Sequence, residues 1–139
     1  PELDNTFRRS YGRKIFGVKY KREIHAVMCF AYTNEIPKSV EELDIMSQDA
    51  HLQSTLRGQN VGKIAIAYTV WSKKKGGGKL IVKEVFNKIK KSSHLNRLVT
   101  LSPLTDMAYK FHIKNGAKLI SVNETTQNFE YKVIKNKKY

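Results

Sequence analysis

The stretch Lys63–Phe86, with the sequence KIAIAYTVWSKKKGGGKLIVKEVF, carries the clearest secondary-structure pattern of the chain. Up to Trp71 it alternates β-branched, aromatic and small apolar residues, which predicts a strand. From Leu80 the apolar residues recur at helical spacing and lysines cover the other face, which predicts a helix up to Lys91. The segment between them is rich in lysine and glycine and can continue neither element. The stretch therefore predicts a strand, a glycine-rich turn and a helix within a mixed α/β domain.

The chain before this unit predicts a hairpin followed by a helix. Residues 11–20 and 23–33 both show strand patterns, and the second is apolar on both faces, as a strand covered on both sides would be. Ser39 and Glu42 match the S-x-x-E capping pattern, which predicts a short helix ending near Met46. The polar residues 47–60 then predict a loop.

The chain after this unit predicts a short buried strand, a helix and two final strands. The strand covers residues 97–101, and Ser102-Pro103 is typical of a helix start. This helix is expected to end at Gly116. Its buried stripe is expected to contain Leu104, Met107, Ala108 and Phe111. Strands over 118–122 and 129–134 complete the order β-β-α-β-α-β-α-β-β, which we interpret as a single domain over residues 1–139.

The charge balance points to an anionic partner. The 139 residues contain 26 Lys plus Arg against 12 Asp plus Glu, a formal net charge of +14. Such a field attracts nucleic acid, anionic membranes or phosphate-bearing small molecules. A nucleic-acid-binding module is therefore one alternative function. It is not the function we prefer, because aromatic residues are not interleaved with the lysines as they are in a groove that stacks bases.

Two further observations exclude classes of protein. No apolar run approaches the roughly 18–20 residues of a membrane-spanning helix, so we expect no membrane partner. Cys29 is the single cysteine, which excludes an internal disulfide and a tetrahedral cysteine zinc site. A chain without a disulfide is typical of proteins in the reducing cytoplasm, where we expect this protein to reside. The sequence leaves the oligomeric state open.

The glycine-rich turn has the composition of a phosphate-binding loop. Glycines allow backbone N–H groups to approach a ligand closely, and the following helix N-terminus carries a positive partial charge. Lysines before and after the glycines add to this field. The residues concerned are Lys73, Lys74, Lys75, Gly76, Gly77, Gly78 and Lys79. The P-loop and G-x-G-x-x-G patterns are both absent, and a flexible turn with solvated lysines is the simpler alternative.

The turn resembles the acyl-CoA pyrophosphate loop of the GNAT acyltransferase superfamily. A strand, the pattern [Q/R]-x-x-G-x-[G/A] and a helix define that loop, and Lys73–Gly78 fits it with Lys73 in place of Gln or Arg. The resemblance implies a mixed, mostly antiparallel sheet with helices on both faces. His112 stands where that family has its tyrosine acid, and Ala117 replaces a phenylalanine.

Four segments resemble the C-terminal catalytic domain of malonyl-CoA decarboxylase, which itself has a GNAT-like fold. AYTNEIPKSV at 31–40 is similar to that family's segment A-L-T-x-x-I-x-x-S-I, and IAYTVWS at 66–72 is similar to its strand before the glycine loop. VTLSP at 99–103 matches its T-L-S-P turn, and FHIKNGA at 111–117 matches its F-H-x-x-N-G-A motif. The segments follow one another in the same order as in that family.

This resemblance implies that His112 and Ser39 are the catalytic residues. Decarboxylation of a malonyl thioester leaves an enolate, so His112 would donate to the oxyanion or transfer a proton, with Ser39 as its hydrogen-bonding partner. Neither a metal nor a redox cofactor is expected. Acyl-CoA, as the substrate, would contact residues of the glycine turn and its surroundings. These are Trp71, Ser72, Lys73, Lys74, Lys75, Gly76, Gly77, Gly78, Lys79, Ser102 and Asn115.

Simpler roles exist for several of these residues, and acyl transfer is an alternative reaction. Ser39 and Ser102 are also good helix caps, and Asn115 with Gly116 is also a helix stop. An acyltransferase moving an acyl group from CoA to an amine needs a general base, and Glu35 is the best-placed carboxylate in the sequence.

Overall fold

In the computed structural model, which describes residues 14–20, 23–58, 62–72, 76–92 and 94–133, one mixed sheet has helices on both faces. Its strands are β1 Lys14–Tyr20, β2 Glu23–Thr33, β3 Ile64–Ser72, β4 Arg97–Thr100, β5 Ser102–Pro103, β6 Lys118–Val122 and β7 Thr126–Tyr131. The helices of this described part are α1 Val40–Arg57, α2 Gly77–Lys91 and α3 Asp106–Lys114.

The sheet order is β1-β2-β3-β4-β7. One side of β7 pairs with β4 and, further along, with β5, and its other side pairs with β6. The paired strands are antiparallel except for β3 and β4, which run parallel. A parallel pair requires a crossover connection, and α2 provides it. This single parallel pair lies in the middle of the sheet.

Two apolar layers hold the helices to the sheet. On one face, α2 packs against β2 and β3 through residues such as Ile81, Val85 and Ile89, and Phe111 of α3 joins the same layer. On the other face, Leu43 of α1 belongs to a buried layer with Ala31 of β2, Ile66 of β3 and Val99 of β4. Because side chains alternate along a strand, Ala65 and Ile66 belong to opposite layers.

Several predicted elements are confirmed. The two N-terminal strands pair as a hairpin, the third strand and α2 flank the glycine turn, and β6 lies over residues 118–122. Ser39 caps α1, because its Oγ accepts from the Glu42 N–H at 3.1 Å. Gly116 follows the end of α3 with a φ of 94°. Residues 11–13 and 134, which the predicted strands include, lie outside the described residues.

The predicted loop over residues 47–60 is wrong, because α1 continues to Arg57. Its polar residues have partners inside the helix, since the hydroxyls of Ser54 and Thr55 donate to the carbonyls four residues earlier. Only Leu43, Ser47 and Ala50 of α1 are buried. A helix that buries so little needs no long apolar stripe, and so its sequence looks like a loop.

The predicted helix start at Ser102-Pro103 is also wrong. These residues form β5, which pairs with Gln127 and Thr126. The helix α3 begins at Asp106 instead, capped by Thr105, whose Oγ1 accepts from the Ala108 N–H at 3.2 Å.

The buried residues of α3 also differ from the predicted stripe. Leu104 and Met107 are 44% and 82% exposed, Ala108 and Phe111 are half-buried, and His112 is the buried residue of the helix. Strand β7 begins at Thr126, three residues before the predicted position, since Thr126 and Gln127 pair with β5.

Candidate functional site

A cleft opens where the parallel strands β3 and β4 separate. Their register runs from Ile64 opposite Arg97 to Ala67 opposite Thr100, and the Leu101 N–H then donates to the Ala67 carbonyl at 2.8 Å. Beyond this point β3 continues to Ser72, whereas β5 pairs with β7 instead. The cleft measures about 320 Å³. It is lined by Ala67, Tyr68, Thr69, Val70, Ser72, Gly78, Leu101, Ser102, Pro103, Thr105, Met107, Ala108, Phe111 and His112.

Buried polar side chains hold the β5 wall of the cleft in place. Gln127, which is 3% exposed, donates from Nε2 to the carbonyls of Pro103 and Thr105, each at 3.0 Å. The hydroxyls of Thr100 and Ser102 lie 2.8 Å apart. The Thr100 hydroxyl also accepts from the Phe129 N–H at 3.1 Å, so removing it would leave a buried backbone donor unsatisfied, which typically costs about 1–3 kcal/mol. The wall is therefore shaped by hydrogen bonds from β7 rather than by a helix cap at Ser102.

The glycine turn brings the N-terminus of α2 to the cleft. Gly76 has a φ of 84°, a conformation that side chains rarely adopt, and Gly78 lies in the cleft wall. A Cβ at Gly78 would meet Cε1 of Phe111 at 2.7 Å, so glycine permits the close approach of α2 and α3. The first turn contains no acidic residue, and its Gly76 cap offers no side-chain acceptor. Its first N–H groups lack intrahelical acceptors and suit an anion.

His112 lines the cleft and forms a buried pair with Tyr131. Its Nδ1 lies 2.7 Å from the Tyr131 hydroxyl, and its ring packs against Phe129 with centroids 4.9 Å apart. Burial lowers the pKa of His112 from 6.5 to about 4 and raises the pKa of Tyr131 above its usual value. The imidazole is therefore neutral and the phenol is protonated at physiological pH.

Sequence reasoning missed Tyr131. It lies 19 residues from His112, on a strand whose position depends on the pairing of β7 with β4. The one available signal was an aromatic residue carrying a hydroxyl in a predicted strand, which is also ordinary strand composition. Gln127 was missed in the same way, because the predicted strand began only at Phe129.

The structure brings most of the predicted site residues to two places. Ser72, Gly78, Ser102 and His112 line the cleft, and Gly76 and Gly77 lie at its α2 end. Lys79 and Asn115 line a second pocket between α2 and the C-terminal end of α3, and Asn115 also donates from Nδ2 to the Phe111 carbonyl at 2.8 Å. Trp71 is a β3 residue opposite Val27. Lys73, Lys74 and Lys75 lie outside the described residues.

Ser39 is not placed beside His112. Its Oγ accepts from the backbone of Glu42 and donates to Oε2 of the same residue at 3.4 Å, whereas Nδ1 of His112 bonds to Tyr131. Ser39 is not among the residues that line the cleft. Its role as an N-cap is therefore directly supported, and its catalytic role stays a prediction.

Within the described residues, no group of three or more His, Cys, Asp or Glu side chains is arranged to hold a metal ion. The described helices also include none with the length and apolar character needed to cross a membrane.

Comparison with known proteins identifies the fold. No protein-family model and no curated protein sequence matches the chain. Among solved structures it is similar to the GphF GNAT-like decarboxylase in complex with isobutyryl-CoA, with a TM-score of 0.66 and 8% identity over 86% of this chain and 78% of that one. It is also similar to the loading GNATL domain of CurA from Lyngbya majuscula, with a TM-score of 0.62 and 11% identity over 91% and 79% of the two chains.

A third similar structure is malonyl-CoA decarboxylase from Cupriavidus metallidurans, with a TM-score of 0.50 and 21% identity. The match covers 76% of this chain but only 26% of that enzyme. Together with the sheet and the cleft, these similarities show that the chain has a GNAT-like fold, as the glycine turn predicted.

Proposed function

We propose that the chain is an acyl-CoA-binding enzyme that decarboxylates a malonyl-type thioester. The observation that carries this proposal is the cleft between β3 and β5, which has the glycine N-terminus of α2 at one end and His112 in its wall. An anion-binding end and a neutral hydrogen-bonding side chain are the two features that such a substrate requires. The similar GphF structure is described as a GNAT-like decarboxylase bound to isobutyryl-CoA, which supports the same choice.

The α2 end of the cleft suits the pyrophosphate of CoA. The N–H groups of Gly77, Gly78 and Lys79 begin the helix, and helix N-termini favour phosphate groups. The pantetheine arm would then extend along β3 beyond Ala67, toward Leu101 and His112. This part of the cleft is lined mainly by apolar and small polar side chains, which suit a neutral, extended arm.

His112 is suited to stabilise the enolate as a neutral donor. When the C–CO₂⁻ bond breaks, its electron pair moves through the α-carbon onto the thioester oxygen, and CO₂ leaves. Among the described residues the buried Tyr131 hydroxyl has no hydrogen-bonding partner other than Nδ1 of His112. We infer that the hydroxyl donates to Nδ1, because its O–H would otherwise lack an acceptor. Nε2 would then carry the proton and donate to the developing oxyanion. A proton from water on the α-carbon completes the reaction and yields the shorter acyl-CoA.

The lining of the cleft favours decarboxylation over acyl transfer to an amine. Transfer requires a general base. No carboxylate lines the cleft among the described residues, and His112, whose pKa burial lowers to about 4, is a weak base. Glu35 is exposed and is not one of the lining residues. The described residues that line the cleft include no charged side chain, so they stabilise a substrate carboxylate little, which favours its loss as neutral CO₂.

The test is to incubate the purified protein with malonyl-CoA and to follow the products by mass spectrometry. We expect acetyl-CoA from the wild type and a loss of rate of at least about a hundredfold in His112→Ala, since removing one oxyanion donor typically costs that much. His51→Ala is the matched control, because His51 is exposed on α1. Equal turnover by His112→Ala and the wild type would contradict the proposal, as would the absence of acetyl-CoA from the wild-type reaction.

The same assay tests Ser39. Glycine is tolerated at an N-cap at a cost of only a few tenths of a kcal/mol, so Ser39→Gly removes the hydroxyl with little loss of helix stability. Wild-type turnover by Ser39→Gly would limit Ser39 to capping α1. A loss of turnover without a loss of thermal stability would establish the catalytic role.

A further inference from the structure

A second pocket lies between α2 and the end of α3 and shares no residue with the cleft. We refer to it as the lysine pocket. It measures about 510 Å³ and is lined by Lys79, Val82, Lys83, Phe86, Lys114, Asn115, Gly116, Tyr131 and Lys132.

Four lysines reach this pocket from three parts of the fold. Lys79 and Lys83 are four residues apart and so lie on the same face of α2. Lys114 ends α3, and Lys132 directly follows β7. Lysines that approach one another repel, and a bound anion relieves this repulsion.

The acidic side chains of these elements do not line the pocket. Glu84 of α2 is exposed and, although it is next to Lys83 in the sequence, is not a lining residue. Glu130 of β7 accepts two hydrogen bonds of 2.7 and 2.8 Å from Arg97, and Asp106 of α3 pairs with Lys110 at 3.0 Å. The described lining of the pocket therefore carries positive charge and no carboxylate.

The floor of the pocket is apolar. Val82 is buried, Phe86 is half-buried, and the buried ring of Tyr131 belongs to the same core layer. Apolar walls exclude water from one side of a bound ligand and so strengthen its interaction with the lysines at the rim. This arrangement suits a compact anion of high charge, such as a phosphate group, better than a neutral molecule.

Tyr131 connects the lysine pocket to the cleft. Tyr131 is a lining residue of the lysine pocket, and its hydroxyl lies 2.7 Å from Nδ1 of His112, which lines the cleft. We propose that the lysine pocket binds a phosphate-bearing ligand and that its occupancy changes the environment of His112 through this hydrogen bond. The effect on catalysis rests on the proposed function, whereas the binding itself does not.

The phosphate can come from two sources. One is a free phosphate compound. The other is the 3′-phosphate of the CoA nucleotide, because Lys79 lies in the first turn of α2, next to the glycines at the end of the cleft. Both sources offer the same group to the lysines, and the experiment separates them.

The first measurement is calorimetric titration with inorganic pyrophosphate. We expect the double variant Lys83→Glu/Lys132→Glu to bind at least about tenfold more weakly, since two charge-assisted contacts are lost. Lys63→Glu/Lys90→Glu is the matched control, with the same change in net charge at exposed lysines outside the pocket. Equal weakening in both double variants, or no binding by the wild type, would overturn the proposal.

Titration with CoA and dephospho-CoA identifies the source. If CoA binds more tightly and Lys83→Glu/Lys132→Glu removes the difference, the ligand is the 3′-phosphate. If both bind equally and pyrophosphate still binds to CoA-saturated protein, the ligand is a free phosphate compound. Pyrophosphate binding needs no turnover, so a failed decarboxylation assay leaves this result intact.

The link to His112 is measured by the ¹⁵N chemical shifts of its ring. We expect pyrophosphate to shift Nδ1 and Nε2 in the wild type and to leave them unshifted in Tyr131→Phe, which removes only the hydroxyl. Lys83→Glu/Lys132→Glu should also abolish the shift. An equal shift in Tyr131→Phe would overturn the proposed connection, and backbone spectra verify that each variant is folded.

Discussion

At the scale of single residues, burial determines the chemistry that His112 can perform. Its neighbours are the rings of Phe111, Phe129 and Tyr131, and desolvation by these rings lowers its pKa to about 4. A histidine with this pKa is a poor imidazolium acid at neutral pH but a good neutral hydrogen-bond donor. Of the two roles that the F-H-x-x-N-G-A resemblance left open, oxyanion donation therefore fits better than proton transfer.

This burial predicts how stability changes with pH. Between pH 6.5 and about 4 the unfolded chain binds a proton at His112 and the folded chain does not. The free energy of unfolding should therefore fall on acidification through this window, by on the order of 3 kcal/mol. Urea denaturation at several pH values measures it. His112→Gln should lose this part of the pH dependence, and an identical slope in both proteins would contradict the assignment.

At the scale of elements, the contact between α2 and α3 shapes the cleft. Gly78 allows the ring of Phe111 to lie against the first turn of α2, and Phe111 in turn contacts His112, with ring centroids 5.1 Å apart. Both residues line the cleft. A side chain at position 78 would have to displace that ring, so the glycine serves helix packing as well as ligand approach.

Gly78→Ala should therefore destabilise the protein. An alanine in a helix interior normally stabilises by roughly 0.5–1 kcal/mol relative to glycine, whereas overpacking costs about 1–3 kcal/mol. We expect a net loss of about 1 kcal/mol in the free energy of unfolding, measured by chemical denaturation. Adding Phe111→Leu should recover part of this loss, and Lys79→Ala, at an exposed position of the same turn, is the control. A Gly78→Ala protein more stable than the wild type would show that the ring moves without cost.

Elements also differ in how well local sequence predicts them. Residue alternation predicts the hairpin and β3, and helical spacing after the glycines predicts α2, since these patterns act within a few residues. Local sequence does not predict the length of α1, because most of this helix is exposed to solvent. It does not predict the start of α3 either, because Ser102 and Pro103 pair with β7 in the sheet. Ser102 has the composition of a helix cap, but its strand pairing determines its structure.

At the scale of the whole molecule, the net charge of +14 predicts salt-dependent binding of acyl-CoA. The dissociation constant of malonyl-CoA should rise about tenfold between roughly 50 and 500 mM KCl, because salt screens the attraction between the lysines and the phosphates. A malonyl thioester of N-acetylcysteamine, which has no phosphate, is the control and should show little change. The same salt dependence for both ligands would refute an electrostatic contribution to CoA binding.

The amino-acid sequence alone predicted the GNAT-like fold, through its resemblance to that superfamily, and the glycine turn before α2. These predictions depend on short motifs and on periodicity, which are properties of neighbouring residues. The catalytic role of His112 stays a prediction from the same motifs. Tertiary structure determines the hydrogen-bonding partner of His112, the β5 wall of the cleft and the lysine pocket. Tyr131, Gln127 and the four lysines come from segments far apart in the chain, and only the register of β7 against β4 and β5 and the packing of α2 beside α3 bring them together.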